Sequence, residues 1–296
     1  MQIRAADTEQ KITLRDLTTF RIGGRPSFYA RPANYEQLGS VLEQCRRAEL
    51  PVRVLGGGSN ILVDDGELDF AVIHICAPAF DWIDRTDNHL TVGAGVRNGA
   101  LLRECERLGL GGLEFMAGIP GTTGGAVAGN AGAWDESIGD KVVRLWYVDE
   151  CGDRQVADRG DLEFGYRRAD VPGGIITEVE LQLNRCESQL VKDRIGRNLS
   201  KKRARQPTAA PNAGCVFQNP EDASAGRLLD RCGMKGTRVG GAKVSDNHAN
   251  FICNAAGARA GEVLELIETM RARVKAEFGI ELELELEHWN DDASAA

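Results

Sequence analysis

The segment GIPGTTGGAVAGNAGAWDESIGD, residues 118–140, constrains the fold of this chain more than any other. Six of its first sixteen residues are glycine, and apolar residues such as Ile119, Val127 and Trp134 are interleaved with them. Flexible linkers combine glycine with serine and stay polar, so this composition is not that of a linker. Glycine loses more conformational entropy on folding than any other residue, so its clustering in an apolar segment needs a structural reason. We expect another group to lie so close to this backbone that side chains are excluded.

A second glycine-rich turn, GGGSN at residues 56–60, follows a predicted strand, VRVL at residues 52–55. The chain has neither the GxxxxGK[ST] pattern of a P-loop nor a GxGxxG pattern between a strand and a helix. Consecutive glycines after a strand let backbone N–H groups converge on an anion, and Ser59 and Asn60 add side-chain donors. Either turn alone is more simply explained as a tight turn. The two together favour a binding site for the pyrophosphate of a dinucleotide. The predicted cofactor-binding residues are Gly56, Gly57, Gly58, Ser59, Asn60, Gly118, Ile119, Pro120, Gly121, Thr122, Gly124, Gly125, Ala126 and Asn130.

Composition and charge limit the class of protein. Over 296 residues, 42% hydrophobic and 27% charged residues predict a globular protein of two or three domains. The N-terminal MQIRAADTEQKITLRDL lacks the apolar core of a secretory signal, and no apolar run approaches the roughly 20 residues that span a bilayer. We expect a cytoplasmic protein without a membrane partner. The formal net charge of −8 argues against a nucleic-acid partner, so an anionic ligand must be met by local basic groups and backbone N–H donors.

The eight cysteines occur singly, without a CxxC pair or a Cys/His cluster at metal-ligand spacing. Cys45, Cys76 and Cys105 take apolar positions of predicted helices or strands, where a reduced thiol behaves as a small hydrophobe. The sequence therefore predicts a reducing compartment and no metal site.

The periodicity of apolar residues predicts an α+β fold with mixed sheets. Helices are predicted at residues 34–50 (with Asn34 as N-cap), 99–108, 187–206 and 223–232 and around Val263–Val274. Strands are predicted at residues 52–55, 61–63, 69–76, 89–93, 141–149, 175–183, 215–217, 238–244, 250–253 and 280–288. The composition changes after PTAAPNAG, and we place domain boundaries near residues 65–75 and 200–210, which predicts domains at residues 1–70, 71–200 and 201–296.

Seven motifs then follow one another along nearly the whole chain. They are TTFRIGG (18–24), VLGGGSNILVDDG (54–66), GIPGTTGGAVAGNAGA (118–133), FGYR (164–167), GCVFQNP (214–220), AGRLLDRCGMKG (225–236) and GIELELE (279–285). In this order they resemble the UDP-N-acetylenolpyruvoylglucosamine reductase family.

This resemblance implies a fold and a reaction. The first two domains would bind FAD as in vanillyl-alcohol-oxidase-like (PCMH-type) flavoproteins, and an α+β third domain would bind substrate. FAD would lie against the backbone of both glycine turns, where a Cβ would take up the space it needs. It would be held non-covalently, because neither turn contains a histidine. NADPH would reduce the flavin, and UDP-N-acetylglucosamine enolpyruvate would then take the same site and become UDP-N-acetylmuramate, a precursor of bacterial peptidoglycan.

The resemblance also implies three catalytic residues. Arg167 in FGYR matches the family's catalytic arginine, whose guanidinium can hold a substrate carboxylate bidentately. Cys215 stands where the family usually has a proton-donating serine; a thiol, with an ordinary pKa of about 8.5, is a stronger acid than a hydroxyl. Glu285 matches the family's C-terminal glutamate by its distance from Gly279. The alternate glutamates of a strand share one solvated face, so an alignment shifted by two residues would select Glu283 or Glu287 instead. Residues implied in substrate binding are Tyr166, Gln218 and Asn219.

The chain departs from the family pattern at several positions. Ala169 replaces a serine after FGYR, Gln218 a common lysine and Trp134 a tyrosine. No tyrosine-bearing insertion follows FGYR, which indicates the short-loop (type II) subclass. Two alternatives stay open: another FAD-dependent oxidase or dehydrogenase on the same scaffold, and a catalytically inactive flavin-binding relative. The cysteine at position 215 is the best support for the second, while Arg167 and Glu285 argue against it.

Overall fold

The computed structural model describes residues 12–170, 173–207 and 210–291, which form two compact units. The first unit contains Phe28–Gly57 and Phe70–Lys201, and the second contains residues 12–27, Gly58–Asp69 and residues 202–291. The three predicted domain ranges stay a prediction.

Six α-helices lie in the described part of the chain. They are α1 (Tyr35–Arg47), α2 (Asn98–Leu108), α3 (Thr123–Ala128), α4 (Ser188–Arg203), α5 (Ala225–Arg231) and α6 (Ala260–Phe278). Asn34 caps α1 as predicted, since its side chain accepts a hydrogen bond of 2.9 Å from the Gln37 N–H. All but α3 were predicted. Over the described residues, none of these helices has the length and apolarity needed to cross a membrane.

The strands are short. They are β1 (Arg25–Ala30), β2 (Val52–Leu55), β3 (Ile61–Val63), β4 (Glu67–His74), β5 (Ile83–Thr86), β6 (His89–Gly93), β7 (Leu110–Gly111), β8 (Gly132–Ala133), β9 (Glu136–Ser137), β10 (Val142–Val148), β11 (Arg154–Asp158), β12 (Glu163–Gly165), β13 (Arg168–Asp170), β14 (Ile175–Gln182), β15 (Asn184–Arg185), β16 (Arg238–Val239), β17 (Ala242–Val244), β18 (Ile252–Asn254) and β19 (Glu287–Trp289).

Two hydrophobic cores of the first unit pack against its two largest sheets. A three-stranded sheet, in the order β1-β4-β2, carries α1 on one face, and Leu38, Val41 and Cys45 of that helix pack into its core. A five-stranded sheet, in the order β11-β10-β14-β6-β5, is antiparallel throughout and packs against α2. Burial raises the pKa of Cys45 to about 11 and that of Cys105 to about 12, as expected for small apolar residues in the core.

The second unit is built around α6. Val263, Ile267, Met270 and Val274 line the buried face of this helix, against α5 and the antiparallel sheet β16-β17-β18. In the same unit β19 pairs with β3 in parallel, with Glu287 opposite Ile61. The helix and strand content of both units confirms the α+β class.

Three predicted strands are wrong. Residues 238–244 form the antiparallel pair β16 and β17 instead of one strand, because the chain turns at Gly240, whose φ is +50°. Residues 215–217 form no strand, because the N–H of Val216 donates to the Asn250 carbonyl and that of Phe217 to the Asn250 side chain. Residues 280–286 are also irregular, since the N–H groups of Glu285 and Leu286 both donate to the Val216 carbonyl, at 2.9 and 3.5 Å. Two donors on one acceptor interrupt the ladder as a bulge does, so only the bridge between Phe217 and Leu284 forms.

Candidate active site

The two glycine turns meet in the first unit. A Cβ built on Gly57 would lie 2.4 Å from the Cα of Gly121, and one on Gly56 would lie 2.5 Å from Oγ1 of Thr122. Real Cβ atoms do not approach that closely, so only glycine lets the two turns pack together. The nearest protein atoms to these Cβ positions belong to the opposite turn, and the expectation that a Cβ would also take up space needed by the cofactor stays a prediction. The two turns therefore bring their backbones close together at one place in the first unit.

Buried polar atoms without partners surround this junction. Among the described residues, Oγ1 of Thr122, Oδ1 of Asn98 and Nε2 of His74 are buried and make no hydrogen bond. A guanidinium nitrogen of Arg97 lies 3.2 Å from the Cβ position of Gly57. An unsatisfied buried polar atom costs about 1–3 kcal/mol, so three of them near a cation indicate a polar ligand. A buried hydroxyl and a guanidinium at this junction suit the diphosphate of FAD.

The second glycine-rich segment is only partly a turn. Thr123–Ala128 form α3, so Gly124, Gly125 and Ala126 lie in a helix, contrary to the predicted glycine turn. A Cβ on Gly124 would lie 2.7 Å from the Cβ of Ala94, which explains a glycine inside a helix by close packing. Gly118 and Gly121, with φ of +76° and +111°, form the turn that precedes α3.

Arg167 and Tyr166 occupy the tip of a hairpin in the first unit. Strands β12 and β13 pair Gly165 with Arg168, which leaves Tyr166 and Arg167 as a two-residue connection. Arg167 has a φ of +56° and donates from Nη1 to the Gly132 carbonyl at 3.2 Å. Tyr166 is 57% exposed, and the Arg167 guanidinium lies 5.4 Å from its ring centre. A strained arginine beside an exposed tyrosine fits a substrate-binding role.

Asn130 ties this hairpin to the glycine-rich segment. Its Nδ2 donates to the Gly165 carbonyl at 2.8 Å, and its Oδ1 accepts from the Gly139 N–H at 3.0 Å. The side chain is buried and its φ is +37°. The structure thus gives Asn130 a protein-directed role in placing Arg167, while its predicted contact with the cofactor stays a prediction.

We expect Asn130→Gly to destabilise the protein by about 1–3 kcal/mol, because it removes two hydrogen bonds and keeps the backbone conformation. Asn130→Ala should cost about 1 kcal/mol more, since an alanine at positive φ is strained. Urea unfolding of the FAD-loaded protein measures both. Asp135→Gly is the matched control: Asp135 has a φ of +62° and is exposed, so its replacement should be neutral or stabilising. Equal stability of the Asn130→Gly variant and the unmodified protein would refute the bridging role.

In the second unit, Cys215 and Glu285 belong to neighbouring segments. The Glu285 N–H donates to the carbonyl of Val216, which follows Cys215, and the Gln218 N–H donates to the Glu283 carbonyl at 2.9 Å. Glu285 is partly buried, whereas Glu281, Glu283 and Glu287 are exposed. This difference in exposure favours the alignment in which Glu285, rather than Glu283 or Glu287, matches the family's glutamate.

The predicted substrate-binding amides also contact protein. Gln218 donates from Nε2 to the Leu284 carbonyl at 3.1 Å, and Asn219 accepts from the Ala225 N–H at 3.1 Å, at the start of α5. Asn60, predicted to face the cofactor, donates from Nδ2 to the Glu285 carbonyl at 3.0 Å. Gly58 has a φ of +59° and its Cβ position lies 2.3 Å from the Leu17 carbonyl oxygen, so this glycine too is required by packing. Asn60 therefore links the glycine turn to the segment that carries Glu285.

A basic groove of about 590 Å³ lies elsewhere in the first unit. The charged residues lining it are Lys141, Arg185, Arg194, Arg197, Lys201, Glu114 and Glu136. Glu114 is buried, accepts from the Gly112 N–H at 2.6 Å and pairs with Arg194 at 3.3 Å. The buried carboxylate thus neutralises one of the five cations, within a chain whose net charge is negative.

Comparison with known proteins agrees with this geometry. Residues 26–157 match the model of an FAD binding domain, and residues 206–289 match that of the C-terminal domain of UDP-N-acetylenolpyruvoylglucosamine reductase. The enzyme of that name from Moorella thermoacetica is 42% identical over 277 residues, 93% of this chain and 90% of the relative. The chain belongs to the UDP-N-acetylenolpyruvoylglucosamine reductase family.

Other family members support the same assignment. The UDP-N-acetylenolpyruvoylglucosamine reductase of Syntrophobacter fumaroxidans is 41% identical over 91% of this chain and 80% of its own length. The crystal structure of the Thermus caldophilus enzyme has a TM-score of 0.83 and 38% identity, covering 96% of this chain and 99% of that one. The resemblance predicted from seven motifs is confirmed, as is the fold with an FAD-binding region and a C-terminal domain. As a family member with an FAD binding domain, the chain is an FAD-containing oxidoreductase.

Sequence reasoning missed the cationic and aromatic side of the glycine junction. Arg97 precedes α2, and His74 is the last residue of β4. Neither residue belongs to one of the seven family motifs found in the sequence. A signal existed for His74, since it lies within the apolar run FAVIHIC, and a histidine that is buried with such a run needs a partner. Arg97 gave no signal, because an arginine before a helix is ordinarily a solvated residue.

Proposed function

We propose that this chain reduces UDP-N-acetylglucosamine enolpyruvate to UDP-N-acetylmuramate with NADPH, in peptidoglycan synthesis. The observation that carries the proposal is the junction of two glycine turns beside unsatisfied buried polar atoms, in a chain of this family. An oxidase on the same scaffold would share that junction but has no reason to carry FGYR, GCVFQNP and the terminal glutamate together.

FAD is proposed to contact the two turns non-covalently. Its diphosphate would accept hydrogen bonds from Gly56 and Gly57 and from Thr122, whose buried Oγ1 has no partner among the described residues. The remaining residues assigned to the cofactor are Gly58, Ser59, Asn60, Gly118, Ile119, Pro120, Gly121, Gly124, Gly125, Ala126 and Asn130. When bound, FAD supplies hydride transfer between NADPH and the enolpyruvyl double bond.

Arg167 is proposed to bind the carboxylate of the enolpyruvyl group. Addition of a hydride to the vinyl terminus builds negative charge on the neighbouring carbon and its carboxylate. A guanidinium that donates two hydrogen bonds to that carboxylate stabilises the charge as it develops. Tyr166, exposed beside Arg167, supplies further contact with the substrate.

Cys215 is proposed to donate the proton that completes the reduction. Its S–H bond breaks as the proton passes to the carbon that bears the carboxylate, and Glu285 relays a proton from solvent to the resulting thiolate. The backbone hydrogen bond between Glu285 and Val216 holds the two segments together for this relay. Gln218 and Asn219 complete the substrate contacts.

We also propose three domains, at residues 1–70, 71–200 and 201–296, and a cytoplasmic location. The link between β13 and β14 runs only from residue 171 to residue 174, which supports the short-loop subclass.

Isotope transfer tests the reaction. With NADPH deuterated at the transferred position, deuterium should enter the new methyl group of UDP-N-acetylmuramate, to the extent that the N5–H of the reduced flavin does not exchange with solvent first. With ordinary NADPH in D2O, deuterium should appear on the carbon bearing the carboxylate, and mass spectrometry and NMR locate it. Consumption of NADPH with hydrogen peroxide as the product, and without labelled UDP-N-acetylmuramate, would favour the oxidase.

A further inference from the structure

His74 lies at the carboxyl end of β4, beside the first glycine turn. Strands β2 and β4 are parallel, and His74 is paired with Leu55, the residue before Gly56. The carboxyl ends of parallel strands open on the same edge of a sheet, which is where α/β sheets bind ligands. His74 therefore occupies a ligand-binding position in the fold that no motif of the chain pointed to.

One ring nitrogen of His74 makes a hydrogen bond of good geometry and the other does not. Its Nδ1 lies 2.7 Å from the hydroxyl of Tyr29, and both side chains are buried, with 8% exposure for His74 and 4% for Tyr29. Nε2 is buried and makes no hydrogen bond of good geometry among the described residues, although the ring lies near the Gly56 backbone. A buried donor without a good acceptor costs about 1–3 kcal/mol, so a better acceptor is expected from a group outside the polypeptide.

The surroundings of His74 favour an anionic partner. Burial, and then the charges of Arg31 and Arg97, lower the pKa of His74 to about 4, while a hydrogen bond with the Gly56 backbone raises it. The imidazole is therefore neutral at physiological pH, and the two nearby cations attract negative charge. When the Tyr29 hydroxyl donates to Nδ1, the ring proton is on Nε2, where it can be donated.

We propose that His74, oriented by Tyr29, donates a hydrogen bond from Nε2 to the diphosphate of FAD. Arg97 and Thr122 contribute to the same centre, since both adjoin the Cβ positions of Gly57 and Gly56. Tyr29 acts as a positioning residue, because its hydroxyl contacts Nδ1 and holds the imidazole ring in place. This assignment rests on the proposed FAD binding and identifies residues that the glycine motifs do not.

NMR of the FAD-free protein tests the contact directly. The chain has four histidines, so selective labelling with nitrogen-15 histidine gives a simple spectrum. Addition of FAD should move the Nε2 resonance of His74, and ADP, which carries the diphosphate, should move it too, whereas riboflavin should not. His89, bonded to Glu180 in the five-stranded sheet, serves as the internal control. A His74 resonance that FAD leaves unchanged while FAD binds would refute the proposal.

Binding measurements on variants give an independent test. His74→Leu should weaken FAD binding at least tenfold, as expected for loss of a hydrogen bond to a charged group. His74→Gln, whose amide nitrogen can stand near the position of Nε2, should recover part of that loss, and Tyr29→Phe should weaken binding by a smaller factor. His89→Gln is the matched control and should bind FAD as the unmodified protein does. A His74→Leu variant that binds FAD within twofold would overturn the proposal, whereas failure of the unmodified protein to bind FAD would overturn the proposed function itself.

Discussion

Arg167→Ala is expected to slow reoxidation of the reduced flavin by the enolpyruvyl substrate about 10³-fold, the order found when a preorganised charge-stabilising donor is removed. Reduction of the flavin by NADPH should change little, because the guanidinium is assigned to the substrate carboxylate. Arg167→Lys should retain the charge but lose the bidentate geometry. Its rate of reoxidation should therefore lie between those of the unmodified protein and Arg167→Ala. Anaerobic stopped-flow absorbance of the flavin measures both half-reactions separately.

Arg168 provides the control for that experiment. It is the next residue along the chain, is exposed, and pairs loosely with Asp170 at 3.6 Å. Arg168→Ala therefore removes a guanidinium from the same hairpin without affecting the assigned group, and both half-reactions should proceed as in the unmodified protein. If the Arg167→Ala variant is reoxidised within tenfold of the normal rate, another residue must bind the substrate carboxylate.

Cys215→Ala is expected to slow the same half-reaction by about 10²–10⁴-fold, the usual contribution of a placed general acid. Cys215→Ser should retain most of the activity, since a hydroxyl can also donate a proton. Flavin reduction by NADPH should be normal in both variants. The measurement is again the return of flavin absorbance on mixing with the enolpyruvyl substrate.

Cys232→Ser is a suitable control for the thiol, because Cys232 also lies partly buried in the second unit. It should leave both half-reactions unchanged. Near-normal turnover by Cys215→Ala would identify Cys215 as an inert substitution for the family's serine, and the proton would then come from another donor.

Local signals in the sequence predicted most of the regular structure. Strand β6 spans the predicted residues 89–93, and α1 begins after the predicted cap, Asn34. These elements have clear apolar periodicity and caps, which depend on neighbouring residues only. The Arg167 motif was likewise found by its local sequence, FGYR, and the structure places it on a two-residue hairpin.

Long-range contacts account for what the sequence did not predict. The strand predicted over residues 280–288 fails because two N–H groups share the Val216 carbonyl, about seventy residues away in the chain. The glycines at positions 56 and 57 were assigned to a cofactor, and their nearest neighbours are Thr122 and Gly121 of the opposite turn. His74 and Arg97 belong to the candidate site only through their spatial approach to that junction, which no local pattern encodes.

One measurement tests the central claim most directly: the anaerobic visible spectrum of the purified protein, followed through two additions. The account predicts a flavin absorbance band that bleaches with NADPH and returns when UDP-N-acetylglucosamine enolpyruvate is added. A flavin that bleaches and then stays reduced would contradict the proposed substrate. A protein that shows no flavin band, even after incubation with FAD, would contradict the assignment of the glycine junction to the cofactor.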